Sequence, residues 1–346
     1  MGRRIVVTFL SLVVLCAQVE AGDPAKYEDR DAAYWAKVLS GTGPQKIRLS
    51  ALIALQKIGK HDLKVTIPAI IKAMSDKDDV VAGRAVYHIG KIGESRKSIP
   101  ALMKVLRDKD RRMDHSLAVQ SLGYIGAASL KSLEKLSKSD DSEMRSRVAK
   151  ALSRIRTKKS AKLLASLTKD STLSVSRQAY SSLGDLGPAA ASQYKYLLKV
   201  AKTRGSGDQD KALNVIAKAK ISFDLVSKDI VKLLDDPNVR VQESACRALG
   251  SYGETALPIA DKILNRLTIK SNAPAKALEK IGEKVIPLLI ANMDNKDPVA
   301  RLRTLVILGN FKEKAKPAIP AIEKALKDED PRVFRMAKQV LKRVKR

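Results

Sequence analysis

The chain has 346 residues, of which 45% are hydrophobic but only 4% aromatic. That composition supports a core of packed helices and excludes an aromatic-rich sandwich or barrel. With 66 basic against 37 acidic residues the formal charge is +29, a surface that attracts acidic proteins and polyanions, unless its lysine-rich faces serve only to keep a long molecule in solution.

The first predicted element is a leader. Arg3 and Arg4 precede the apolar run Ile5 to Leu15, and Val19, Glu20 and Ala21 follow it. This layout predicts a secretory signal peptide over 1–21, cleaved after Ala21, and hence a secreted or periplasmic protein. The apolar run falls short of the roughly 20 residues that a spanning helix needs, so no integral membrane span is expected after cleavage. Leu15 before Cys16 is too large for a lipoprotein signal. Residues 22–30 read as a short extension. Cys246, alone once the leader is gone, cannot close an internal disulfide, so packing must hold the exported chain together.

From residue 31 one phrase recurs to the end of the chain. Copies run from Leu55 to Gly59, Ile89 to Gly93, Leu122 to Gly126, Leu183 to Gly187, Leu249 to Gly253 and Leu278 to Gly282, and degenerate copies end at Arg156, Lys220, Lys312 and Lys345. The ten end points lie 29 to 34 residues apart, the signature of a repeat architecture. Apolar residues recur one, four and eight places before the end points, as with Ile92, Ile89 and Ala85, which is one face of a helix. Small neighbours such as Ala149, Ala151, Ala245 and Ala248 let a second helix approach. Each unit carries a helical phrase upstream, as at Ile67 to Met74, Ile99 to Leu106 and Ile319 to Leu326, where Pro68, Pro100 and Pro320 fit a first helical position. Acidic turns at Asp76 to Asp79, Asp108 to Asp110, Asp235 to Pro237 and Asp328 to Pro331 divide the two phrases and supply caps to the second helix. The predicted fold is therefore all-α: an α-solenoid of about ten helix–turn–helix repeats over 31–346. Two places are softer. Thr203 to Asp210 is rich in glycine and serine and leaves room for a hinge near 203–210, and the unit ending at Gly282 lacks its acidic turn around Ser271 to Pro274.

The Ile-Pro-Ala-Leu phrase, the acidic turn, an apolar residue followed by Arg, and the Ala-Leu-Gly-x-Ile-Gly ending resemble the HEAT-like repeats of the phycobilisome-lyase type. The resemblance spans 31–346 and is best in the copies ending at Gly93, Gly126, Gly187 and Gly253. It implies an armadillo-like helical solenoid whose second helices line the concave side. The family's Arg is matched at Arg145 and Arg301, while Ala82, Asp114, Ser176, Gln242 and Phe334 stand in its place elsewhere, so a ladder of Asp–Arg pairs between repeats is expected to be broken. A bilin lyase is the enzyme that the family's name suggests, but the repeat describes packing rather than chemistry.

The residues that chemistry would need are missing. His61, His88 and His115 occupy unlike positions in their repeats, and none of the His-Glu pairs that iron binding in a chain similar to deoxyhypusine hydroxylase would require is present. Cys246 takes a place that Ala149 or Val119 fills elsewhere, which marks a core residue. Gly205 to Gly207 has no strand before it and no Lys-Thr after it, unlike a phosphate loop. Trp35 opens the first repeat as an end cap. No catalytic residue, cofactor or metal site is expected, and the reading is a non-enzymatic exported scaffold that binds a partner along its concave surface. Positions nine, six and two before each end point share one helix face and carry Lys57, Arg84, Lys91, Arg147, Lys150, Arg154, Lys218, Arg247, Lys280, Arg303 and Arg343. This basic stripe is the expected partner-binding site, for an acidic protein or, alternatively, for an anionic polymer such as nucleic acid, acidic polysaccharide or an anionic membrane surface.

Overall fold

The computed structural model of the chain describes residues 25–268 and 271–345; the leader over 1–21, Cys16 and the cleavage point after Ala21 lie outside them. The described chain is an all-α solenoid of ten helix pairs. The second helices are Gln45–Ile58, Asp79–Ile92, Arg112–Ile125, Ser142–Leu152, Leu173–Asp185, Gln209–Ala219, Val239–Gly250, Ala273–Ile281, Pro298–Phe311 and Pro331–Lys345, each preceded by a first helix, from Ala32–Ser40 to Ile319–Lys324. Of the ten end points read from the period, Gly59, Gly93, Gly126, Lys220, Gly282 and Lys312 directly follow a second helix, Lys345 closes one, and Gly187, Gly253 and Arg156 lie two to four residues beyond theirs.

Two glycines of the recurring phrase do different work. The last one ends the helix: Gly126 has φ 84° and ψ −142°, a conformation that side chains with a Cβ rarely adopt. Lys220 and Lys312 stand at the same place in degenerate copies and take φ of 49° and 52° without being glycine. The earlier glycine lets neighbouring second helices touch. A Cβ at Gly90 would lie 2.5 Å from the Ser121 Cα, and one at Gly250 would lie 2.6 Å from the Ala277 Cα. Around these contacts Leu52, Leu55, Ile58, Ile89, Leu122, Leu152 and Leu183 are fully buried, which gives each pair its share of the apolar burial that holds a solenoid together.

The acidic turns divide their labour as well. The first polar residue accepts from the backbone N–H two places on, as Asp76 does from Asp78 and Asp328 from Asp330; the next caps the helix, as Asp78 does toward Val80 and Val81 and Asp297 toward Val299. The Asp–Arg ladder is broken, as the sequence suggests, but its rungs differ from the expected set. Arg145 meets both Asp170 oxygens at 2.7 and 2.9 Å, and Arg301 meets both of Asp328 at 2.7 Å. Arg48 pairs with Asp76, and Gln209 reaches Asp236 at 3.3 Å. In the third repeat the matching position, eleven before the end point, is one residue beyond the Asp114 expected from the sequence. His115, not Asp114, takes the place and bonds the Asp108 carbonyl at 2.9 Å, while Asp114 pairs with Arg111 at the start of its helix.

Pro68 departs from its expected first-helical position. Asp62 accepts from the Val65 N–H and starts the helix at Leu63, so Pro68 lies inside Leu63–Ala73, where it removes one intrahelical bond. Pro100 and Pro320 stay within the first turn of Ser98–Val105 and Ile319–Lys324. At the amino-terminal end, a short hairpin pairs Lys26–Tyr27 with Arg30–Asp31, and the Trp35 indole donates to the Tyr27 carbonyl at 3.1 Å. Trp35 is buried there, capping the first core.

The chain divides into two compact units, Met1–Leu136 and Ser137–Arg346. The Thr203 to Asp210 stretch lies inside the second. Around it Gln209 donates to the Ala201 carbonyl, and the Tyr180 hydroxyl meets Asp208 at 3.3 Å.

Candidate partner-binding face

Within each unit consecutive second helices pack side by side, leaving one face of each helix to solvent. The eleven basic residues all stand on that face. Arg147 and Arg303 are half-buried, and Lys57, Arg84, Lys91, Lys150, Arg154, Lys218, Arg247, Lys280 and Arg343 are exposed. Lys57, Arg84 and Lys91 belong to the first unit and the other eight to the second.

In the first unit Lys91 is embraced by aromatics. Its ammonium lies 3.8 Å from the Tyr124 ring centre and 5.5 Å from that of Tyr87, and the two rings meet edge to face at 5.8 Å. Such a cation over two π-faces is held by the rings' quadrupoles. Both tyrosines occupy register positions, Tyr87 six and Tyr124 two before their end points. Neither carries a charge, so a pattern of basic residues alone does not mark them.

In the second unit carboxylates interrupt the cations. Lys218 pairs with Asp185 at 3.3 Å, Arg247 with Glu243 at 3.9 Å, and Arg147 with Glu143. Arg303 donates to the Thr268 carbonyl at 3.0 Å and to the Asn272 side-chain Oδ1 at 2.9 Å. Tyr124, Asp185, Ser251 and Asn310 fill the position two before the end in the remaining copies. The face is therefore a mixed polar surface with positive excess rather than an unbroken cationic track.

A groove of about 270 Å³ opens on this face between Leu173–Asp185 and Gln209–Ala219. Tyr180 and Val215 line it beside Arg177, Lys211 and Lys218, and Gly184 keeps it open, since a Cβ there would stand 3.0 Å from the Lys218 Cδ. Lys211 sits nine places before its end point and was legible in the register; Arg177 and Tyr180 lie outside the three positions that define the stripe.

Chemistry elsewhere is quiet. His88 Nδ1 donates to Gln56 Oε1 at 2.5 Å, a structural bond between neighbouring repeats. Cys246 is buried, and burial pushes its thiol up to about 12. Among the described residues no three His, Cys, Asp or Glu side chains gather closely enough to hold a metal ion, and no helix is long and apolar enough to cross a membrane.

The sequence profile of HEAT repeats matches residues 32–123, 115–184 and 130–216. No curated protein matches the chain. Among solved structures, Kap121p aligns with a TM-score of 0.55 at 13% identity, over 90% of this chain and 41% of that one. Kap121p bound to Nup53p gives 0.55 at 15% identity, over 91% and 42%. The Kap95p structure with RanGDP gives 0.54 at 12% identity, over 90% and 51%. The chain thus spans about half the length of these proteins or less, and the likeness is one of fold.

Proposed function

The chain belongs to the HEAT-repeat family, and from that premise we propose that it is a non-enzymatic scaffold, exported by the leader over 1–21, that holds an acidic protein partner along the exposed face of its second helices. The observation that carries this reading is the mixture of tyrosine and cation on that face: Lys91 between Tyr87 and Tyr124, and Tyr180 among Arg177, Lys211 and Lys218. Tyrosine and arginine in partly enclosed sites are the side chains that anchor protein interfaces, whereas scattered surface lysines are not. Karyopherin Kap121p, similar in fold, is known in structures bound to Nup53p, Pho4p and Ste12p.

A competing explanation needs no partner. Lys57, Lys91, Lys218 and Lys280 lie in the last turns of their helices, where a cation is favoured by about 0.3–1 kcal/mol. Replacing Lys91, Arg154 and Lys218 together by Glu separates the two. The chain beginning at Gly22 and this variant are used to capture partners from a nuclease-treated extracytoplasmic fraction at low and raised salt. The scaffold reading expects capture by the wild type that weakens with salt and vanishes in the variant, with helix content and melting temperature nearly unchanged. Loss of stability with partner capture intact would assign the cations to the helix ends instead.

A further inference from the structure

We propose that the outer face of the fifth to seventh repeats, formed by the first helices Lys158–Leu167, Tyr194–Lys202 and Phe223–Lys232, docks on a bilayer surface of anionic lipid headgroups. All three helices belong to the second unit, and their exposed sides face away from the second helices. The inference concerns a different face from the partner site and stands whether or not that site binds a protein.

The carrying observation is uncompensated like charge. Lys158 and Lys162 lie four residues apart on the first of these helices, Lys195 and Lys199 on the second, and Lys228 and Lys232 on the third, all of them exposed. The first two helices contain no acidic residue at all. Lys158, Lys162, Lys199, Lys228 and Lys232 have no ion-pair or hydrogen-bond partner for their ammonium groups among the described residues. Like charges one turn apart weaken a helix, so helix stability does not explain them. On the second-helix face the same protein places carboxylates at that spacing, Glu143 with Arg147 and Glu243 with Arg247. Two carboxylates stand on the third helix, Asp224, exposed four residues before Lys228, and Asp229, 3.2 Å from Lys202, so the uncompensated charge is concentrated on the first two helices.

The shape of the charge selects the partner. Tyr194–Lys202 packs against Phe223–Lys232, and Lys158–Leu167 packs on the segment leading into Tyr194–Lys202; the Thr168 and Tyr196 hydroxyls, 2.6 Å apart, tie the fifth repeat to the sixth. Helices packed at about 8–10 Å, each with lysines one turn apart, make a two-dimensional array rather than a single track. A planar layer of headgroup phosphates meets all of it at once, whereas a linear polyanion follows one row. The cations on the three helices are all lysine, point charges without the fork that reads bases or clamps a single phosphate. No exposed aromatic stands among them for base stacking, Tyr194 and Tyr196 being half-buried. Leu225, 51% exposed, projects from the third helix beside Lys228, an apolar side chain placed to enter the headgroup boundary.

Flotation of the full chain with phosphatidylcholine vesicles, with and without phosphatidylglycerol, tests this. Binding is expected only with phosphatidylglycerol, falling steeply with salt. Lys158→Glu, Lys162→Glu, Lys195→Glu and Lys199→Glu together should weaken it on the order of a hundredfold or more, since each lysine near such a surface contributes separately. The same four positions changed to Gln, a gentler test of the fold, should weaken it on the order of tenfold or more. The triple Glu variant of the second-helix face should float like the wild type. The proposal is overturned if the wild type fails to float with phosphatidylglycerol at low salt, if both charge-reversed faces lose binding equally, or if duplex DNA binds the outer face and vesicles do not.

Discussion

Burial in the second repeat keeps the His88 imidazole neutral. Its pKa is lowered to about 4, first by loss of hydration and then by the nearby charges of Arg84 and Lys91, while in the unfolded chain it titrates near 6.5. Between those values the unfolded state takes up a proton that the folded state refuses. The folded protein is therefore at full strength above pH 6.5 and loses stability as pH falls toward 4. Because the ring is only part-buried, the effect of this one group is about 1–2 kcal/mol rather than the full value of the shift. Urea unfolding at a series of pH values should show this slope, and His88→Gln should flatten it; an unchanged slope in the variant would place the acid sensitivity elsewhere. The even spacing of three histidines along the sequence says nothing of this, because the burial of His88 and the charges beside it arise only when the repeats pack.

At the scale of the element, the phrase Leu-Gly-x-Ile-Gly was readable because each of its positions answers to geometry: two apolar residues for the core, one glycine for close approach, one for the left-handed exit. The first helices were less readable. A proline there is compatible with the first turn and, as Pro68 shows, with a place deeper in, and what decides is the cap at Asp62. In the ladder, Arg48 stands at the same register position as Arg145 and Arg301 and pairs with Asp76, while Gln209 serves there in place of the family's Arg by reaching Asp236. The degenerate ends give the sharpest expectation. Lys312 has φ 52° and ψ −132°, a region almost reserved for glycine, whereas Lys220, at φ 49° and ψ 43°, sits in the milder left-handed well. Strain of about 1–3 kcal/mol at the former outweighs the greater freedom that glycine gives the unfolded chain, about 0.5–1 kcal/mol. Lys312→Gly should stabilise by about 1 kcal/mol, Lys220→Gly should change little, and Gly126→Ala should destabilise by about 1–3 kcal/mol. Denaturation midpoints in urea measure all three, and a stabilisation by Lys220→Gly larger than that by Lys312→Gly would contradict the strain argument.

For the whole molecule, the period itself foretold ten repeats, yet it gave no sign of the division between Leu136 and Ser137, since that depends on how closely whole helices pack and not on which residues recur. The exposed face of the second helices was legible in its register and not in its composition: the basic positions could be placed on one helix face, but the tyrosines and carboxylates sharing it need neighbours in space to be recognised. What the period does license is a test of the repeat as the unit of folding. Deleting 283–312 joins Gly282 to Glu313, and the seam reads alike on both sides, Glu283-Lys284-Val285 being replaced by Glu313-Lys314-Ala315. The deletion keeps a glycine exit, removes the strained Lys312 and sets Ala273–Ile281 against Pro331–Lys345 in the place of Pro298–Phe311. It gives up the Arg301 to Asp328 rung and one set of buried contacts. In a molecule whose repeats contact only their neighbours, the shortened chain should keep its helical signature per residue and a cooperative transition, with a midpoint several degrees lower. Deleting 283–297 instead leaves a second helix where a first helix belongs and turns its apolar stripe away from the core. That protein should lose its cooperative transition. Circular dichroism melts of the two deletions decide the matter: if both unfold alike, the repeat is not the unit in which this chain folds.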